Sequence, residues 1–155
     1  MRYSTRTRYG LRFLSYLGRV YEMKGSRHLA QLNEVAEAEE ISLKYLEQIV
    51  RKLKPLAILD SVRGVKGGYR LCKHPNSFPL DKIFDCLEGN ISPVPCVAKL
   101  IDCPRMESCS AYLLWDDLDK HVRSRLETLT LADIMLLPEG VAAHEMPPMR
   151  ETANI

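Results

Sequence analysis

"ISLKYLEQIVRKLKPLAILDSVRGVKGGYRL", residues 41–71, decides the fold. Ser42 is placed to cap a helix, since its hydroxyl can accept from an amide that a first turn leaves unbonded. The helix predicted from Leu43 to Lys54 puts Leu43, Leu46, Val50 and Leu53 on one face and Lys44, Tyr45, Gln48, Arg51 and Lys52 on the other. Pro55 is expected to stop it, because proline disfavours helix for the residue before it. The period then changes. β-prone residues flank Gly64-Val65-Lys66-Gly67-Gly68, and three glycines in five residues permit the positive φ angles of a hairpin turn. Tyr69 and Leu71 then face inward, Arg70 outward, with Arg63 and Lys66 near the tip.

Working outward, a short helix with Leu29, Leu32, Val35 and Ala36 as its buried side precedes Ser42. A short helix, a turn and a second helix with a basic face is helix-turn-helix arithmetic, and the hairpin adds a wing. The helix before that pair runs from about Ser4 to Glu22. Phe13, Leu14, Leu17, Val20 and Tyr21 make its apolar face, and Arg6, Arg8, Arg12 and Arg19 fill much of the remainder. After the wing, "PLDKIFDCLEG" reads as a helix between Pro79 and Gly89, with Ile83, Phe84 and Leu87 inward. A long helix follows from about Ser110 to Thr128. Its stripe of Ala111, Leu114 or Trp115, Leu118, Val122 and Leu126 or Leu129 drifts like a coiled-coil seam. Asp116/Lys120 and Asp119/Arg123 are i,i+4 pairs on it, and Thr130 with Asp133 suggests a capping box for a last short helix. Beyond Leu137 the composition predicts disorder.

The expected fold class is therefore mainly α with a small β-hairpin: a winged helix-turn-helix DNA-binding domain plus a long C-terminal dimerisation helix. The boundaries are 1–89 for the winged helix, 90–109 for a cysteine-rich cofactor loop, 110–137 for the dimerisation and terminal helices, and 138–155 for the tail. Charge agrees. Residues 1–75 carry 15 Lys and Arg against 7 Asp and Glu, whereas residues 76–155 carry 7 against 13. A basic half points to a polyanion. No apolar run reaches the ~18 residues of a membrane span, and "MRYSTRTRYG" lacks the apolar region of a signal peptide, so a cytoplasmic protein is expected.

The winged-helix reading assigns roles. Gln48 can offer a bidentate amide to adenine, Lys44, Arg51 and Lys52 can reach guanine edges or phosphates, and Glu47 can accept from cytosine. Arg63 suits a narrow minor groove. Arg2, Arg6 and Arg8 are candidates for phosphate contacts, which set position without reading sequence.

Three of the five cysteines, Cys96, Cys103 and Cys109, share the loop "CVAKLIDCPRMESC" at C-x6-C-x5-C spacing. In a reducing compartment such bunching points to metal or redox chemistry. Thiolates bind iron–sulfur clusters. Zinc also takes three thiolates and a fourth ligand, but its structural sites usually have closer pairs. A regulatory disulfide between Cys103 and Cys109 is a third option, and small packed residues without a ligand role a fourth. Cys72 and Cys86 read as buried small hydrophobes. With no C-x-x-C, no nucleotide-binding glycine fingerprint and no nucleophile–base motif, an enzyme is not expected.

"MRYSTRTRYGLRFL", "ISLKYLEQIVRKLK" and "SVRGVKGGYRL", with the late cysteine triplet and "LWDDL…LTLADI", resemble the IscR-type winged-helix regulators of the Rrf2 family over about residues 1–137. The resemblance implies a homodimer on a double-stranded operator with two half-sites, its long helix crossing to the partner. It also implies DNA contacts at Lys44, Tyr45, Glu47, Gln48 and Lys54 and a wing arginine at Arg63. In several members the loop cysteines hold an iron–sulfur cluster; others have none and sense metabolites or partner proteins. Here the fourth-ligand positions differ: Tyr112 stands where the cluster-biogenesis regulator has histidine, and Arg8 where nitric-oxide-sensing relatives have aspartate. The first gap is also one residue longer. The remaining candidates are His28 from the other subunit and the oxygens of Asp102, Glu107, Ser108 and Tyr112. Three thiolates with one oxygen suit [4Fe–4S] better than [2Fe–2S].

Overall fold

The computed structural model describes residues 3–135; Arg2 and the predicted tail lie outside the described residues. The elements are α1 (Thr5–Lys24), α2 (Leu32–Ala38), α3 (Leu43–Leu53), β1 (Leu59–Val62), β2 (Gly68–Leu71), α4 (Leu80–Glu88), α5 (Ser110–Thr128) and α6 (Leu131–Met135). Among the described residues the chain is mainly helical with one two-stranded antiparallel hairpin, as the sequence predicts.

α1 is the axle. Phe13, Leu14, Leu17 and Val20 are buried along it, and α3, α4, α6 and β2 all pack against it. Two small residues let neighbours close in. A Cβ on Gly10 would stand 2.5 Å from Leu87 Cδ1, and one on Gly18 would stand 2.1 Å from Met135 Sδ. Burying apolar surface at about 25 cal/mol per Å² drives this assembly.

α3 is capped as expected, with Ser42 Oγ accepting from the Tyr45 amide. Two expectations for it need correction. Leu43 is exposed, and Ile49 joins Leu46, Val50 and Leu53 in the core. Helical residues at 46, 49, 50 and 53 share one stripe, so Leu43 at the first turn overhangs its edge. The α-helix ends at Leu53, as expected ahead of Pro55, but the helical run does not. Lys54 stays right-handed, and residues 54–56 continue as a 3₁₀ turn with proline inside its first turn, where a missing N–H costs nothing.

The hairpin pairs Leu59 with Leu71 and Val62 with Gly68. Of the wing glycines only Gly64 has positive φ, at 111°. Gly67 and Gly68 serve a different need, namely room. A Cβ on Gly68 would lie 2.5 Å from the Ala30 carbonyl oxygen. That closeness allows Ala30 and Tyr69 to exchange both backbone hydrogen bonds, at 2.9 and 2.8 Å. The wing is thereby stitched to the segment leading into α2.

α5 differs from the other helices. Among its own chain it buries only Asp119, and Leu113, Leu114 and Leu118 stand exposed. Its predicted ion pairs are present, Lys120–Asp116 at 2.6 Å and Arg123–Asp119 at 2.9 Å. One half of the capping box is in place, Asp133 accepting from the Thr130 amide, and it accepts from the Thr130 hydroxyl too.

Candidate nucleic-acid interface and cysteine loop

Packing α3 by its apolar stripe leaves Lys44, Glu47, Gln48, Arg51 and Lys52 exposed on the opposite side. Tyr45 is half-buried, its ring edge-on to Tyr9 with centroids 5.7 Å apart, so it also braces α3 against α1. Arg51 Nε donates to the Glu47 carbonyl at 3.3 Å, which keeps its guanidinium along the helix. Lys54 is exposed in the 3₁₀ turn, off the end of α3.

The wing presents Arg63, Val65 and Lys66 to solvent, Val65 being 96% exposed. Gln31 Nε2 donates to the Val65 carbonyl at 3.3 Å, so the tip leans on the start of α2. The wing is thus tied at its tip and at Tyr69 to the segment that leads into α2, the first helix of the pair.

The arginines of α1 divide into two groups. Arg12 and Arg19 both pair with Glu39 at the end of α2, at 3.0 and 2.7 Å, so they act as struts. Arg8 donates to the Thr5 hydroxyl at 3.2 Å. Arg6 borders an open notch of about 570 Å³ beside α3, where Gln48, Arg51 and Lys52 form the facing wall.

Cys96, Cys103 and Cys109 are free and half-buried in the irregular stretch joining α4 to α5. Cys96 lines a cavity of about 330 Å³ with Asp102, Met106 and Tyr112; the other two thiols do not. Among the described residues, no three His, Cys, Asp or Glu side chains are gathered into a metal-holding group. The donor chemistry fits an iron–sulfur cluster, but the loop has to draw its sulfurs together to hold one. Cys72 and Cys86 are half-buried rather than buried. Each thiol donates to a backbone oxygen at 2.9 Å, Cys72 to Ala57 and Cys86 to Lys52. Burial pushes the Cys86 thiol pKa up, and Lys52 opposes this with a smaller effect.

Sequence reading missed a cluster at the C-terminal end of α4. There Glu88 meets Ser4 and Thr7 of the α1 first turn. Ser4 before an amphipathic helix was a visible cap signal, but its partner 84 residues away was not.

The family described as Rrf2, iron-dependent transcriptional regulator, matches residues 3–136. The chain belongs to the Rrf2 family. It is 34% identical over 135 residues to the protein rrf2 of Nitratidesulfovibrio vulgaris, covering 87% of each chain. It is 32% identical over 104 residues to the transcriptional regulator IscR of Photobacterium profundum, covering 67% of this chain but only 60% of that relative. Among solved structures it resembles CymR, the global cysteine regulator of B. subtilis, with a TM-score of 0.70 and 29% identity over 87% of this chain and 96% of that one. Rrf2 members are DNA-binding transcriptional regulators, not enzymes. No described helix is long and apolar enough to cross a membrane.

Proposed function

We propose that this Rrf2 regulator is a cytoplasmic homodimer that binds a double-stranded operator with two half-sites and is modulated by an iron–sulfur cluster. The carrying observation is the placement of the thiols. Cys96, Cys103 and Cys109 are free, and their loop joins a helix of the winged body to α5.

Lys44, Gln48, Arg51 and Lys52 on α3 are assigned to the major groove, with Glu47 discriminating among bases there. Arg63 and Lys66 are assigned to the minor groove or its phosphates, and Tyr45 and Lys54 to the edges of the contact. Outside the described residues, Arg2 is assigned to a phosphate. The exposed apolar face of α5 supports a twofold partner, because leucines at this density are rarely left to water. The three loop cysteines would hold the cluster, with [4Fe–4S] favoured over [2Fe–2S]. Asp102 and Tyr112, which line the same cavity as Cys96, are the oxygen candidates for the fourth ligand. When bound, the cluster supplies sensitivity to oxidants, nitric oxide or iron supply. The chain's own part is to gather the loop, and gathering it shifts the α4–α5 connection.

That Cys96 lines its cavity without Cys103 or Cys109 favours a second reading, direct thiol oxidation or a metabolite or protein signal without a cluster. The similarity to a cysteine regulator supports it too. Anaerobic purification with iron and sulfide counts and a visible spectrum separates the two. Stoichiometric iron and sulfide that vanish in the C96A/C103A/C109A variant are expected. An iron-free, colourless protein with unchanged operator affinity in that variant overturns the cluster reading.

A further inference from the structure

Three donors from the start of α1 converge on one oxygen at the end of α4. Glu88 Oε2 accepts from the Ser4 amide at 2.9 Å, the Ser4 hydroxyl at 2.8 Å and the Thr7 hydroxyl. Beside it, Arg6 Nε donates to the Leu87 carbonyl at 2.9 Å. Burial raises the Glu88 pKa, but the bonds from Thr7 and Ser4 and the nearby Arg6 charge together outweigh it and hold the carboxyl below its ordinary value. An ionised acceptor is what three donors on one oxygen require.

The same turn of α1 forms one wall of the notch beside α3. Arg6, Arg51 and Lys52 bring three cations to it, and among the described residues no carboxylate lines it. Such a lining suits an anion, and its place next to the recognition helix makes that anion a DNA phosphate.

Glu88 is also the last residue before the cysteine loop. Gly89 follows with φ at +86°, and Arg123 of α5 fastens the next segment. Its guanidinium reaches Ser92 Oγ at 3.3 Å, Asp119 at 2.9 Å and Asp85 at 3.7 Å. A movement of the loop therefore bears on Glu88 from one side, while on the other Ser4 hangs from its carboxylate and Arg6 from the carbonyl of its neighbour Leu87.

We propose that the notch seats a backbone phosphate and that Glu88 is the positioning residue holding Ser4 and Arg6 at its wall, so that the cysteine loop adjusts a DNA contact. This rests on the DNA-binding reading above and adds to it a site and its link to the loop.

The test uses the full chain with Cys72→Ser and Cys86→Ser, substitutions that keep a donor for each backbone oxygen and leave only the loop thiols to react. One arm measures binding to a random 20-base-pair duplex by fluorescence anisotropy across a salt series. Glu88→Gln is expected to lower the slope of log affinity against log salt by about one, the signature of one lost phosphate contact. Thr7→Val, which removes one of the three donors, gives a smaller loss and serves where Glu88→Gln fails to fold. The other arm follows amide exchange of residues 3–12 before and after alkylation by iodoacetamide, without DNA. Alkylation speeds that exchange when Glu88 is present and leaves it unchanged in Glu88→Gln. An unchanged salt slope in both variants overturns the seat, and exchange indifferent to alkylation overturns the link. A parent protein that binds no duplex overturns the DNA reading itself, while the exchange arm still reports on the link.

Discussion

A Cβ on Gly67 would stand 2.2 Å from the carbonyl oxygen of Val62, so the wing closes only over a residue without a side chain. Gly67→Ala forces the backbone apart at the point where β1 leaves for the tip. Overpacking of this kind costs about 1–3 kcal/mol. Urea denaturation is expected to show that loss, with helical circular dichroism unchanged, and operator affinity is expected to fall with the displaced Arg63 and Lys66.

The recognition helix offers a matched pair. Leu46 is fully buried, and Leu46→Ala is expected to destabilise by about 2–5 kcal/mol through lost contacts and a residual cavity. Leu43, 40% exposed three residues earlier, is expected to tolerate Ala within about 0.5 kcal/mol. Equal losses for the two in denaturant melts would contradict this placement of α3.

Acid stability carries the signature of Glu88. Its folded pKa lies below the ordinary 4.5, so the ionised carboxylate stabilises the fold at neutral pH. That contribution is complete above the unfolded value and fades as pH falls through the folded one. The stability gap between the wild type and Glu88→Gln should therefore be flat from pH 7 to about pH 5 and close below pH 4.5. A gap that persists undiminished at pH 3 would assign the effect to packing.

Thiol reactivity should be graded. Cys86 is half-buried, donates to the Lys52 carbonyl and has a raised pKa, which leaves little thiolate at neutral pH. Iodoacetamide labelling read by peptide mass mapping is expected to modify Cys86 last among the five cysteines. Early labelling of Cys86 would show that the α3–α4 contact opens readily.

Much of the architecture was legible because it is written in local periods. Ser42 as a cap, the α4 glycine stop and the Thr130–Asp133 box each act within four residues. What escaped reading depends on partners far apart in sequence. The arginines of α1 look alike in a helical projection, yet Glu39 claims two and the Leu87 carbonyl a third. Leu43 fits the apolar period but falls outside the covered arc. The wing glycines suggest turn conformations, whereas two of the three answer to steric crowding from Val62 and Ala30. The cysteine loop has no period at all, and spacing gives the number of thiols without their separation.

The exchange of backbone hydrogen bonds between Ala30 and Tyr69 fixes the interval between the wing and the helix pair as a ruler does. With wing and α3 on DNA as proposed, base changes beneath either contact alter one local interaction. Inserting a single base pair between them shifts the duplex by about 3.4 Å and turns it by about 35°, which a stitched wing has no slack to follow. For a site bound in the proposed way, then, spacing is the less forgiving variable: the operator can drift in letters far more readily than in length.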